Sequence, residues 1–209
     1  MKILQVRLGP VRSLVDGGGR PWRSAIAKAE APGPVRVGID GLEGDQVADR
    51  RHHGGPQQAV LAYAASHYES WSLEGSTLGH GVFGENLVVE GASDQDVCIG
   101  DVWQAGGLRL QVSQPRQPCS TLGRYLASDA LVERVWATGR GGWYLRVLNP
   151  GLVSAGELDL IERPHPGWTV ARVLRAFDQA QQHPEEARLA AGLVHLSQEW
   201  RTKLAAKAG

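Results

Sequence analysis

The sequence predicts a β-rich α+β protein: a β-barrel or sandwich with helical insertions, followed by a small appendage of three helices. Three observations carry that prediction. Glycine is abundant, 27 of 209 residues, and it is clustered, which marks tight turns and close backbone approaches. Short β-forming runs recur between those turns. In the last forty or so residues glycines thin out, alanines multiply and a helical period takes over.

Each element has its own reason. Residues 2–8, KILQVRL, read as a strand. Residues 9–44 read mostly as loop, with a helical turn over 24–31. Residues 58–71 read as a helix, because Val60, Tyr63, His67 and Trp71 fall on one stripe and Pro56 stands just before the start. Strands follow at 86–90, 101–104, 108–113 and 143–148. Leu108, Leu110 and Val112 alternate with polar residues, the pattern of a half-buried strand, and Gly106-Gly107 ahead of them is a hairpin turn. The join ERPHPGW holds two prolines and a glycine and reads as a linker. It divides the chain into 1–162 and a helical extension, 163–209. There Thr169 caps one helix, Pro184 opens a second that Gly192 ends, and Ser197 caps a third.

Composition excludes several classes. The 22 basic and 22 acidic side chains cancel, so no charge excess argues for nucleic acid or an anionic membrane. No apolar run is long enough to span a bilayer, and Gln5 and Arg7 interrupt any leader-like segment. Two cysteines make no disulfide scaffold. The expectation is a cytoplasmic protein.

Four clusters could carry chemistry. In QPRQPCSTLG, Pro115 and Pro118 stiffen the backbone entering Cys119, and Arg116 supplies a cation that favours the thiolate. The plainer alternative is a small packed residue, which is the preferred reading for Cys98 in VCIGD. The run GLEGDQVADRRHHGGPQQAV gathers Asp45, Asp49, Arg50, Arg51, His52 and His53 ahead of Gly54-Gly55, a glycine pair before a helix that suits an anion; a polar surface loop is the alternative. Zinc is disfavoured, since no Cys-x-x-Cys or His-x-x-x-His set accompanies the histidines. GVFGENLVVEG offers Glu85 and Asn86 before a strand, either for a heterocycle edge or for a turn. TGRGGWYLRV places Arg140 between glycines, a phosphate ligand or a hairpin tip.

In this order GLEGD, HHGGPQQAV, FGENL, VCIGD, QPRQPC and TGRGGWYLRV resemble the MOSC (molybdenum cofactor sulfurase C-terminal) family, in its stand-alone bacterial branch. The resemblance covers about residues 1–162, and the tail is similar to that branch's three-helix extension. It implies a β-barrel core that binds molybdenum cofactor, a molybdenum pyranopterin phosphate, with Cys119 as protein ligand to the metal. It also implies that His53, Gly54 and Gly55 line the cofactor cleft, that Asn86, Glu85 and Asp45 belong to it, and that Arg116 meets the phosphate or pterin. Arg12 and Ser13 lie where relatives carry N-terminal contacts. Two departures stand out: Gly84 replaces an arginine of the relatives, and Gln46 a basic residue.

Two functions follow. One is reduction of N-hydroxylated compounds, such as base analogues or amidoximes, with electrons from a separate flavoprotein-type donor; no flavin, haem or iron–sulfur motif is present in the chain. The other is sulfur carriage or cofactor transfer through a Cys119 persulfide. The tail is a candidate surface for partner docking or homodimerisation, against the plainer reading of a cap on the barrel.

Overall fold

The computed structural model describes residues 1–51 and 53–209; His52 lies outside the described residues. Strand β1 (Lys2–Leu8) is followed by β2 (Arg12–Val15), β3 (Pro21–Ser24), β4 (Ala29–Glu30), β5 (Val35–Gly38) and β6 (Gly41–Leu42). Strand β7 (Val60–Ala64) runs into α1 (Ala65–Leu73), and β8 (Leu87–Glu90), β9 (Val102–Ala105) and β10 (Leu108–Pro115) come next. Helices α2 (Ser120–Leu126) and α3 (Asp129–Thr138) precede β11 (Trp143–Asn149), β12 (Gly151–Val153), β13 (Gly156–Glu157) and β14 (Asp159–Glu162). The tail is α4 (Val170–Asp178), α5 (Pro184–Ala191) and α6 (Gln198–Ala208).

The main sheet has the order β13-β1-β8-β7-β11-β10-β9-β14, with β4 paired to β1. All its pairs are antiparallel except β7–β8. Its two end strands, β13 and β14, are separated in the chain by Leu158 alone, whose N–H donates to Met1 O at 2.8 Å. The ends of the sheet are therefore brought together by one continuous segment, and the sheet curls into an open barrel. This is the mixed α+β architecture that the glycine-punctuated strands predict.

Several local expectations change. Residues 24–31 form no helix: they end β3, bend and enter β4. The helix expected from residue 58 starts only at Ala65; residues 60–64 are β7, buried at every position. A strand covered on both faces loses its alternation, so its apolar run imitates a helix stripe. For the same reason β10 is buried throughout apart from Arg109, rather than half-buried. Helices α2 and α3 add to the elements expected from the sequence. Their signals are local: Ser128 Oγ accepts from Leu131 N at 3.2 Å, and Gly139 ends α3 at φ 71°.

The tail caps match the expectation. Thr169 Oγ1 accepts from Arg172 N, Pro184 opens α5, and Ser197 Oγ accepts from Trp200 N. Trp200 and Leu204 join Leu108, Leu110 and Trp143 in one apolar cluster. Full burial of Leu204 alone contributes about 2 kcal/mol. Backbone bonds tie the tail down: Ile99 N to Trp168 O, Val170 N to Val97 O and Ser197 N to Ser113 O. The VCIGD turn belongs to this joint. Asp101 accepts from Cys98 N at 2.9 Å and holds both ends of the Arg163 guanidinium.

Candidate functional site

Strand β10 ends at Pro115 and hands the chain to Arg116, Gln117, Pro118 and Cys119, after which α2 begins. Arg116 N donates to Gly142 O at 2.9 Å. Gly141 permits this approach, since a Cβ there would sit 2.7 Å from Arg116 O, and Gly142, at φ 80°, lets the same segment lie against β7, its Cβ position being 2.5 Å from Ala62 O. The GRGGW motif therefore holds the Arg116 backbone in place. Arg140 of that motif points elsewhere, paired with Glu74 and stacked on Trp71.

Cys119 is half-buried at the wall of a cleft of about 290 Å³. Burial alone would push its thiol up. A hydrogen bond from His53, the charge of Arg116 and the Leu122 N–H outweigh it and bring the thiol down to about 6. Cys98 is the contrast: it is buried beside the Asp101 turn, and burial pushes its thiol up.

Arg116 is 4% exposed and lines the cleft. Its Nη2 donates to Phe83 O at 3.4 Å, but its Nη1 is buried without a hydrogen-bond partner among the described residues. An orphaned guanidinium nitrogen at a cleft wall is a donor whose chemistry suits an anionic acceptor, since leaving such a donor unpaired costs about 1–3 kcal/mol.

The floor is a braced polar group. Asp45 accepts from Gly9 N (2.7 Å) and Asn86 Nδ2 (2.8 Å) and is paired with Lys28. Asn86 Oδ1 accepts from Leu61 N at 3.1 Å, and its Nδ2 also reaches Arg7 O at 3.3 Å. This amide links β1, β7 and the GLEGD loop. Burial lowers the Lys28 ammonium, with the Asp45 charge opposing it.

The structure thus brings Asp45, His53, Gly54, Asn86, Arg116 and Cys119 to one cleft. It separates four others from the cleft wall. Gly55 is exposed, just ahead of the short helical turn Pro56–Gln58. Glu85 is fully buried behind the wall, accepting from Tyr68 Oη and Gly81 N at 2.5 Å each, with burial pushing its carboxyl up. Arg12 and Ser13 lie exposed on β2, paired across to Ser24 and Arg23. Asn86 and Asp45 line the cleft, but their side chains are committed to the bracing described. Gln46 and Gly84 also line it, and Gln46 Oε1 is occupied by Val11 N at 2.8 Å.

Sequence reading missed Lys28, Gln58, Thr121 and Tyr144, all on the cleft wall. Tyr144 was detectable: on β11 it alternates with Trp143, which is 0% exposed, so it must face the other side of the sheet. Lys28 carried no such signal, since only the fold sets it against Asp45.

Residues 49–158 match the MOSC domain model. The chain belongs to the MOSC family. It is 39% identical over 170 residues to YflK of Bacillus subtilis, covering 80% of this chain and 76% of that protein. It is also 39% identical over 181 residues to a Gibberella moniliformis protein named "Reductase". That match covers 84% of this chain, which spans only 32% of the fungal protein's length. The crystal structure of YiiM from Geobacillus stearothermophilus aligns over 99% of this MOSC chain and 98% of its own, with a TM-score of 0.82 at 29% identity.

Proposed function

We propose that this MOSC protein is a molybdenum cofactor-dependent reductase of N-hydroxylated compounds. The overall conversion is R–NH–OH plus two electrons and two protons to R–NH2 plus water, with the electrons supplied by a separate flavoprotein-type donor. The observation that carries the reading is the pairing, in one cleft, of a Cys119 thiol lowered to about 6 with the orphaned Nη1 of Arg116. A soft thiolate donor suits the metal, and a buried guanidinium suits the phosphate of the pterin group. The donor set fits the cofactor that the family resemblance implies.

When bound, the cofactor supplies the two-electron oxygen-transfer chemistry. The protein's part is positional and electrostatic. His53 and Arg116 keep Cys119 deprotonated near neutral pH. The Asp45–Asn86–Lys28 group fixes the floor. Tyr144 lines the cleft with its phenol kept protonated: burial pushes it up, and the Arg116 charge only partly opposes this. Its hydroxyl can therefore donate a hydrogen bond beside Cys119.

A low-pKa thiol would equally serve a persulfide carrier, and that reading needs no orphaned Arg116. The test is metal and pterin content per chain after expression in cells that make the cofactor, with turnover of an N-hydroxylated purine under an artificial reductant. About one molybdenum per wild-type chain, little in Cys119→Ala, and turnover only in the wild type are expected. Sulfane sulfur on Cys119 without metal or turnover would overturn the reductase in favour of the carrier.

A further inference from the structure

Asp94 is 1% exposed, in the loop between β8 and β9. Taking a carboxylate out of water is costly unless partners satisfy it. Here every oxygen of the residue has one. Oδ1 accepts from Gly142 N at 2.8 Å. Oδ2 meets Nε2 of the buried His67, on α1, at 2.6 Å. The backbone oxygen accepts from Ala171 N, in the first turn of α4, at 2.9 Å. One residue thus joins α1, the helical tail and the turn that enters β11.

That turn is the one that carries Arg116. Gly142 donates its N–H to Asp94 and accepts from Arg116 N at its carbonyl, so a single residue separates the buried acid from the Arg116 backbone. The turn is gripped at its other end as well. Tyr63 Oη donates to Arg140 O at 3.2 Å and accepts from Trp71 Nε1 at 2.8 Å. Between these two grips, Gly141 lies so close to Arg116 O that a shift of the turn reaches Arg116 by contact as well as by hydrogen bond. Pro115 and Pro118 leave the segment little freedom to absorb such a shift. Docking the tail needs only the backbone oxygen of Asp94. The carboxylate itself faces the turn and His67.

We propose that Asp94, oriented by His67, is the positioning residue of Arg116: acting through Gly142, it fixes where the guanidinium with the unpartnered Nη1 stands at the cleft wall. Neither Asp94 nor His67 lines the cleft, so the effect travels through the backbone. Removing outer partners of this kind typically weakens binding at the group they orient by about tenfold or more. That Arg116 meets the phosphate of the cofactor rests on the reductase reading. That Asp94 holds Arg116 rests on these bonds alone.

The test uses the full chain and the variants Asp94→Ala, Asp94→Asn, Arg116→Gln and Leu204→Ala, each checked by thermal melting. Amide hydrogen exchange is followed by NMR on cofactor-free protein at Arg116 and, as reference, at Val112 of β10, which donates to Asp101 O. Molybdenum and pterin per chain are measured after expression in cells that make the cofactor. Asp94→Ala speeds exchange at Arg116 about tenfold more than at Val112, the usual effect of one lost buried hydrogen bond, and lowers molybdenum content to that of Arg116→Gln. Asp94→Asn keeps both at wild-type level, because its Oδ1 still accepts from Gly142 N and its N–H reaches His67 Nε2 with the imidazole in the other tautomer. Leu204→Ala loses core packing in α6 without touching these bonds. It speeds both amides alike and keeps its molybdenum, which separates positioning from stability. If Asp94→Ala does not fold, His67→Phe takes its place, leaving the carboxylate without the group that orients it. Exchange at Arg116 that changes only in step with Val112 overturns the inference. So does wild-type molybdenum content in Asp94→Ala when Arg116→Gln has lost it. A wild type that takes up no molybdenum overturns the reductase, and the exchange comparison then decides the role of Asp94 by itself.

Discussion

Removing the His53 side chain should raise the Cys119 thiol pKa by about one to two units, the usual size of a lost hydrogen bond and charge partner. The starting point is a thiol lowered from its ordinary 9.0 to about 6, against the burial that would raise it. At pH 7 a thiol at 6 is about 90% thiolate and one at 9 about 1%. Alkylation of the cofactor-free protein by iodoacetamide, followed site by site by mass spectrometry, reads this fraction directly. Wild-type Cys119 should reach half its maximal rate near pH 6, and His53→Ala should reach it at about 7 to 8. Arg116→Gln should shift the midpoint the same way by less, because the His53 hydrogen bond is the larger lowering influence. Cys98 is an internal control, since burial pushes its thiol up and it should stay slow at neutral pH. Stability follows with a definite sign. The folded thiol is the stronger acid, so its contribution is present in full above pH 9 and is lost as pH falls through about 6. Cofactor-free wild type should therefore gain stability from pH 6 to 9 relative to Cys119→Ser. A wild-type midpoint at pH 8 or above, or one unmoved by His53→Ala, would refute the assignment of His53 as the group that keeps the thiolate.

Four further outcomes are expected. Arg116→Gln should fold yet retain little molybdenum cofactor, measured as metal and pterin per chain, because the orphaned Nη1 is gone. Asp45→Asn should destabilise by about 3 kcal/mol, lowering Tm by roughly 6–12 °C, because Lys28 is left buried without its counter-charge. Gly142→Ala should cost about 2 kcal/mol or more, since a Cβ at φ 80° would lie 2.5 Å from Ala62 O; urea unfolding measures it. Cys98→Ser should keep wild-type molybdenum content and turnover, because Cys98 is tied by its backbone to Asp101 rather than placed in the cleft.

The sequence alone determined the barrel class, the tail caps and which of the two cysteines stands in a stiff, cation-bearing loop. Those features are local: glycine pairs make turns, Thr169 and Ser197 cap with their own side chains, and two prolines stiffen the approach to Cys119. Tertiary structure decided what depends on partners distant in the chain. Strand β7 looks helical in sequence because burial on both faces erases its alternation. Glu85 and Asn86 share one motif, yet the first braces Tyr68 behind the wall and the second ties β7 to the Asp45 loop. Arg116 and Arg140 both sat in plausible anion motifs. Packing paired Arg140 with Glu74 and left one nitrogen of Arg116 without a partner. Nothing in the order of residues places Trp200 and Lys203 beside Cys119. Only the folding of α6 against β10, some eighty residues away in the chain, puts them there. Local chemistry is written in neighbouring residues, whereas a site's walls come from long-range burial, which leaves no periodic trace in the sequence.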